Sequence, residues 1–175
     1  NLFSGSFRGV DDGRYVPYHL NHSTEIKGFK SIVHGDHRYY NNIFLGRKDG
    51  KGQYGLAGYK SAQWPIQAAG NLFCSGALPA ADGQGEVYDR PLSDIRVEEA
   101  GQEVYLILPD EATGLPAAGR IDAARLGKAR LSNYAYENAD GTPVSLNKDY
   151  RGRERAEHTV VGPLEQIEGK RIRVW

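Results

Sequence analysis

The chain contains no methionine and one cysteine, Cys74. A single thiol rules out an internal disulfide, and its place directly after Asn71-Leu72-Phe73 reads as a small buried apolar group. No charge of either sign is in surplus. Lys plus Arg number 22 and Asp plus Glu number 22, giving a formal net charge of +0. Without a basic excess or a charged tail, nucleic acid is not an expected partner. No apolar run approaches the roughly 20 residues of a membrane-spanning helix, and no leader peptide is legible. No stretch keeps the period of a long amphipathic helix. The lack of methionine, with Asn1 opening in mid-phrase, leads us to expect a segment of a longer protein. The compartment is not fixed by the sequence; a soluble protein of cytoplasm or periplasm fits equally.

Glycine and tyrosine are plentiful, with 22 and 11 copies in 175 residues. Together with asparagine they describe a turn-rich β protein with polar, aromatic surfaces, which suit a sugar better than a lipid. An Asn–apolar–Phe phrase occurs three times, at Asn1-Leu2-Phe3, Asn42-Ile43-Phe44 and Asn71-Leu72-Phe73. Glycine closes each phrase within three residues, at Gly5, Gly46 and Gly76. Repeats that cannot bury their own apolar face stack on neighbours. The separations of 41 and 29 residues suit turns of a parallel β-helix with loops of variable length.

The expected fold is therefore all-β: β-helix coils over residues 1–85 carrying the site, then a β-rich segment over 86–175. Strands are read at Ser31-Ile32-Val33, Tyr39 to Leu45 and Asn71 to Cys74, with a turn at Asp49-Gly50-Lys51-Gly52. Leu78 to Gly83 leaves that layer. Beyond it, Ile95 to Glu98 and Val104 to Leu108 read as a hairpin. Pro109 to Gly114 reads as a loop. Ile121 to Leu126 fits a short helix or an alternating strand equally. Arg171 to Trp175 reads as an edge strand.

Four of the five histidines fall between His19 and His37. A run of His, Asp and Arg beside strands is costly to bury unpaired, so it forms either an ion-pair network or a groove-facing site. Asp36 follows Gly35, where backbone can approach closely. Arg38, two residues on, shares its strand face, and a positive neighbour favours a charged carboxylate. A structural Asp–Arg pair is the plain alternative. Glycosidic cleavage by retention needs two carboxylates; Glu25 is the candidate partner of Asp36. His22 and His37 are candidate ligands of sugar hydroxyls, with Tyr39 and Trp64 as stacking surfaces and Arg38 alongside. Asn41 and Asn42 suit a stacked-asparagine corner. The two His-x-x-His pairs have a spacing that zinc permits, but no cysteine accompanies them. We expect no metal and no cofactor.

These residues carry a family resemblance. His22 to Ile26, Gly35 to Phe44 and Gly70 to Pro79 resemble the later coils of the right-handed parallel β-helix β-xylosidases, glycoside hydrolase family 120. Tyr136 to Pro143, Asp149 to Gly152 and Gly162 to Leu164 resemble its close. The resemblance implies an exo-acting retaining enzyme that removes xylose from short β-linked oligosaccharides. It implies an aspartate nucleophile, carried onto Asp36, and a glutamate acid/base further along. The sequence departs from the pattern there, since Gln53 to Pro65 contains no acid. His37 also stands where the family phrase often has a second Asp. A missing N-terminal segment or a second chain would then complete the groove, and a homo-oligomer is allowed for. The rival readings are a non-catalytic carbohydrate-binding module, a polysaccharide lyase and a structural assembly protein; fold alone does not decide among them.

Overall fold

The computed structural model describes residues 1–9, 12–32, 34–47, 53–59, 64–81, 87–89, 95–109 and 114–175. Val33, the turn at Asp49 to Gly52, Asp82, Gly83 and the loop at Asp110 to Thr113 lie outside the described residues.

The first strands, β1 (Leu2–Ser4) and β2 (Ser6–Arg8), precede a hairpin of β3 (Asp12–His19) and β4 (Ile26–Ile32). Next come β5 (Arg38–Tyr40), β6 (Ile43–Leu45), β7 (Tyr54–Gly58), β8 (Gln67–Ala69), β9 (Asn71–Cys74), β10 (Ala77–Leu78) and β11 (Val87–Asp89). A second hairpin joins β12 (Arg96–Ala100) to β13 (Glu103–Ile107). The remaining elements are β14 (Ala117–Gly119), α1 (Ala123–Leu126), β15 (His158–Val160) and β16 (Arg171–Arg173). Asp122 caps α1, its carboxylate accepting from the Arg125 N–H, and so resolves the helix-or-strand ambiguity there.

The three Asn–apolar–Phe phrases stack in parallel register. Phe3 pairs with Phe44 and Phe44 with Phe73, within a sheet ordered β1-β6-β9-β11. The Phe44 ring lies 5.0 Å from Phe73 and 5.4 Å from Phe3. Side chains alternate across a strand, so one face of this sheet sends Phe44 and Phe73 into a core with Leu56, Tyr59 and Ile66. The other face sends Ile43, Leu45, Leu72 and Cys74 against Leu115 and Val161 of the C-terminal part.

Asparagine fixes the ends of the rungs. The Asn1 amide donates to Asn42 Oδ1 at 3.2 Å, and the Asn42 amide donates to Asn71 Oδ1 at 3.0 Å. The Asn71 amide then donates to the Tyr39 carbonyl at 2.7 Å. Asn71 is 1% exposed, so each of these bonds replaces water that the site excludes.

This stacking does not extend into the expected right-handed parallel β-helix. The described strands form six small sheets, none of more than four strands. Three are parallel (β1-β6-β9-β11, β10-β7-β2 and β5-β8) and three are antiparallel. None is closed or strongly curled. The physical reason lies in the spacers. A repeated phrase sets local register, but an excursion as long as the β3–β4 hairpin, and the antiparallel strands that follow β11, are not turns of one winding. The fold is all-β, as expected, with mixed parallel and antiparallel sheets.

Residues 120–165 are almost bare of regular structure. Isolated bridges tie Asp122 to Ser145, Lys128 to Ala135, Glu137 to Pro143 and Lys148 to Glu154. Polar side chains hold the segment together. Asp149 Oδ1 accepts from the Arg151 and Arg153 N–H groups at 2.8 and 2.9 Å, and Oδ2 from the Glu165 N–H at 2.9 Å. Burial works against the charged form of Asp149. The three N–H donors outweigh that, holding the carboxyl below the usual carboxylate range. Arg155 donates to Thr159 Oγ1 and to the carbonyls of Val160 and Gly162, and pairs with Glu165 at 3.4 Å.

Candidate functional site

Asp36 sits where Gly35 is pressed against Trp64. A Cβ added at Gly35 would stand 2.2 Å from the Trp64 carbonyl oxygen, so only glycine fits. Asp36 itself has φ of +57°, a left-handed conformation that Asp adopts more readily than most residues. Its carboxylate turns toward the C-terminal part: Oδ2 accepts from the Arg130 N–H at 2.8 Å, and Oδ1 faces Arg38 at 3.0 Å and Arg130 Nε at 3.8 Å. The side chains of Arg38 and Asp36 are 5% and 11% exposed. Oδ1 is buried and receives no hydrogen bond among the described residues.

Arg38 works as a clamp. It donates from Nε to the Leu126 carbonyl at 2.7 Å, from a terminal nitrogen to the Lys128 carbonyl at 2.6 Å and from the other to the Asp36 carbonyl. Its guanidinium lies 4.9 Å from the Tyr136 ring centroid. Leu126 closes α1, so the clamp ties off a helix end whose carbonyls lack intrahelical partners. Tyr136 is held with its phenol above the usual range, chiefly by burial.

His37 lies on the other side of β5. Its Nδ1 is 3.4 Å from the Tyr59 hydroxyl, which is 2.7 Å from the Tyr39 hydroxyl. Burial lowers the His37 pKa, His34 adds to the effect, and Asp36 opposes it. Burial likewise raises the Tyr39 phenol, helped by its bond to Tyr59. Tyr39 packs beside Phe7 and Phe44 at the edge of the core.

Glu25 is exposed in the β3–β4 turn, where its N–H donates to Ser23 Oγ at 2.9 Å and its carbonyl accepts from Leu20. Among the described residues its hydrogen bonds lie within that turn. His22, by contrast, finds a carboxylate: Nε2 is 3.0 Å from Glu137 Oε2, and the Asn21 amide donates to the same oxygen at 3.3 Å. Among the described residues no group of three or more His, Cys, Asp or Glu side chains converges as a metal site would.

Around this pair lies an open hollow of about 270 Å³, lined by Asn21, His22, Ser132, Tyr134, Tyr136 and Glu137 among others. Two tyrosines, an amide, an imidazole and a carboxylate around one hollow are groups that bind hydroxyls and cover an apolar ring face. The hollow reaches the clamp through Tyr136. Tyr134 has no role in the sequence analysis, and Glu137 enters it only inside the Tyr136 to Pro143 stretch of the resemblance. The alternation Tyr134-Ala135-Tyr136-Glu137 was the available signal, but nothing in it names the hairpin tip as its partner. A second hollow of about 300 Å³ lies between Tyr40, Asn41 and Asn1 on one side and Lys148, Tyr150 and Pro163 on the other.

No family model matches the chain, and no curated protein sequence matches it. A solved structure does: the complex structure of XylC with xylose. The two align with a TM-score of 0.87 at 27% identity, over 100% of this chain and 32% of that one. The chain thus spans about a third of the length of that protein. What it shares is a β-rich fold of mixed parallel and antiparallel sheets, distantly related in sequence. Membership of the β-helix xylosidase family, expected from the Gly35 to Phe44 phrase, is not upheld: no family model matches, and the sheets do not make the winding that family implies. Among the described residues no helix is long and apolar enough to cross a membrane.

Proposed function

We propose that this chain binds a carbohydrate, a neutral pentose such as xylose, in the hollow between the β3–β4 turn and residues 132–137. The observation that carries the reading is the alignment of the whole chain with a protein solved in complex with xylose. The chemistry of the hollow supports it. Glu137 accepts from sugar hydroxyls, His22 and Asn21 donate to them, and Tyr134 and Tyr136 offer apolar faces. Titration of the chain with xylose, followed by amide chemical shifts, tests it. Shifts should cluster at residues 21–22 and 132–137, and Glu137→Gln should weaken binding about tenfold, the loss of one charge-assisted hydrogen bond. Shifts clustered elsewhere would reject the hollow as the site.

A second reading is favoured by one observation, the buried Asp36 Oδ1, which is ion-paired with Arg38 at 3.0 Å but accepts no well-aligned hydrogen bond among the described residues. In that reading Asp36 is the nucleophile of a retaining glycosidase, with the rest of a longer chain or a second chain completing the groove. Attack on the anomeric carbon would break the glycosidic C–O bond, the leaving oxygen departing as the alcohol or phenol with a proton from an acid on the remainder of the longer chain or on the second chain, and the resulting glycosyl-enzyme ester would then be cleaved by water. Release of phenol from an aryl xyloside, lost in Asp36→Asn while xylose binding persists, would favour it. We place binding first, because Arg38 and Arg130 enclose the carboxylate.

A further inference from the structure

Among the described residues, strands β3 and β4 pair with each other and with no other strand. No residue from Asp12 to Ile32 is buried. Even the large apolar side chains stay outside: Tyr15 is 73% exposed, Phe29 61% and Ile26 49%. None of the three apolar clusters of the core draws on the hairpin. A two-stranded hairpin is marginal by itself, so this one depends on what fastens it to the body.

The fastening is polar and falls on one place. Among the described residues, the hydrogen bonds that leave the hairpin all end on residues 132–137. At the tip, Asn21 and His22 both reach Glu137 Oε2. On β4, the Lys27 ammonium donates to the Tyr134 hydroxyl at 3.1 Å and to the Ser132 carbonyl at 3.4 Å, and lies 4.3 Å from the Tyr134 ring centroid. Ser132, Tyr134 and Glu137 line the hollow described above, and so do Asn21 and His22 themselves. The hairpin is thus seated on one wall of the hollow and supplies part of its rim. The His22 and Glu137 side chains are 40% and 32% exposed. Polar contacts open to water are individually weak, and elements without buried apolar contacts are the ones that open locally.

Resting on the sugar-binding reading, we propose that the β3–β4 hairpin is a flap over the hollow, with Lys27 as its latch. Open, the flap withdraws Asn21 and His22 and admits the ligand. Closed, it completes the rim while Lys27 holds Tyr134 and the Ser132 carbonyl in place. Lys27 is not among the residues that line the hollow, so it is a positioning residue that acts through those two. A sugar that touches both Glu137 and the hairpin tip binds the closed form better, and thereby draws the flap shut.

Spin labels at Thr24→Cys, in the tip turn, and at Ala139→Cys, in the body, read the movement as a distance by pulsed electron resonance. Cys74 is 1% exposed and stays unlabelled. The free chain should show two distances, and xylose should shift the population to the shorter. Lys27→Ala should enlarge the longer-distance population and weaken xylose binding about fivefold, through the fraction of chains that are closed. Lys27→Arg, which keeps a cation and donors, should restore both, with circular dichroism confirming the fold of each variant. A single distance, the same with and without bound xylose, overturns the flap and spares the hollow. Wild-type populations in Lys27→Ala overturn the latch. A longer distance that vanishes as the protein is concentrated, with a dimer in sedimentation, would give the exposed Tyr15 and Phe29 to a second copy that pins the hairpin, and overturns the flap. Failure of xylose to bind at all defeats the sugar reading and the flap's role with it.

Discussion

The stacked phrases and the segment at residues 120–165 are held by opposite means. In the first, identical residue types sit on one another: phenylalanine on phenylalanine, asparagine bonded to asparagine. Order there comes from repetition, and apolar contact supplies most of the stability. In the second there is one four-residue helix, and the chain is shaped by single polar anchors such as Asp122, Asp149 and Arg155. Repetition resists change by sharing load between neighbours. A polar anchor has no understudy, but each one loses less than a core aromatic does.

That contrast can be broken first at Phe44, which is 0% exposed between two other rings. Phe44→Ala should cost about 4 kcal/mol in denaturant unfolding, from lost transfer energy and the cavity left behind. A loss below about 1 kcal/mol would show that the stack relaxes and that repetition is not what supports it. Asp149→Ala sharpens the other side. It strands three N–H donors and should cost about 2 kcal/mol at neutral pH. The sign with pH follows from the lowered folded pKa of Asp149. Its contribution is fully present above the unfolded value of about 3.9 and disappears as pH falls through the folded value. The variant should therefore lose less stability than wild type as pH falls below about 4, the unfolded carboxylate value.

The smallest effect is expected at His37, between the two regions. Its pKa is lowered by burial, so the unfolded chain takes up a proton more readily than the folded one. Stability should fall as pH drops below about 6.5, the ordinary histidine value. His37→Gln should flatten that slope in thermal scans between pH 7 and pH 5, which spans roughly that value. An unchanged slope would place the titrating group elsewhere.

How much the sequence disclosed follows the same division. The Asn–apolar–Phe phrases were legible because repetition leaves a trace at fixed separations, and both the register and the asparagine bonds follow from it. The hairpin at Ile95 to Leu108 was legible from apolar alternation around Ala100-Gly101. The expected β-helix was an overextension: phrases that stack do not dictate that everything between them winds the same way. The site was half legible. His22, Asp36 and Arg38 stood out as a polar cluster, and the Asp36–Arg38 pair is formed. Glu137 did not stand out, because its contact with His22 spans 115 residues. Such a contact depends on one hairpin tip meeting one irregular loop, and no periodicity announces it. Glu25 is the acid the sequence offers as a partner for Asp36; in the structure its hydrogen bonds are to its own turn, at Ser23 and Leu20.

Arg38 has a further consequence. Its guanidinium bonds three carbonyls and faces an aromatic ring, so Tyr136 shares its packing with the groups that hold the Leu126 and Lys128 carbonyls. A ligand that immobilises Tyr136 should accordingly slow deuterium uptake at Gly127 and Ala129, remote from its own footprint. In the proposed binding, Arg38 is the physical link from Tyr136 at the hollow to the Leu126 and Lys128 carbonyls.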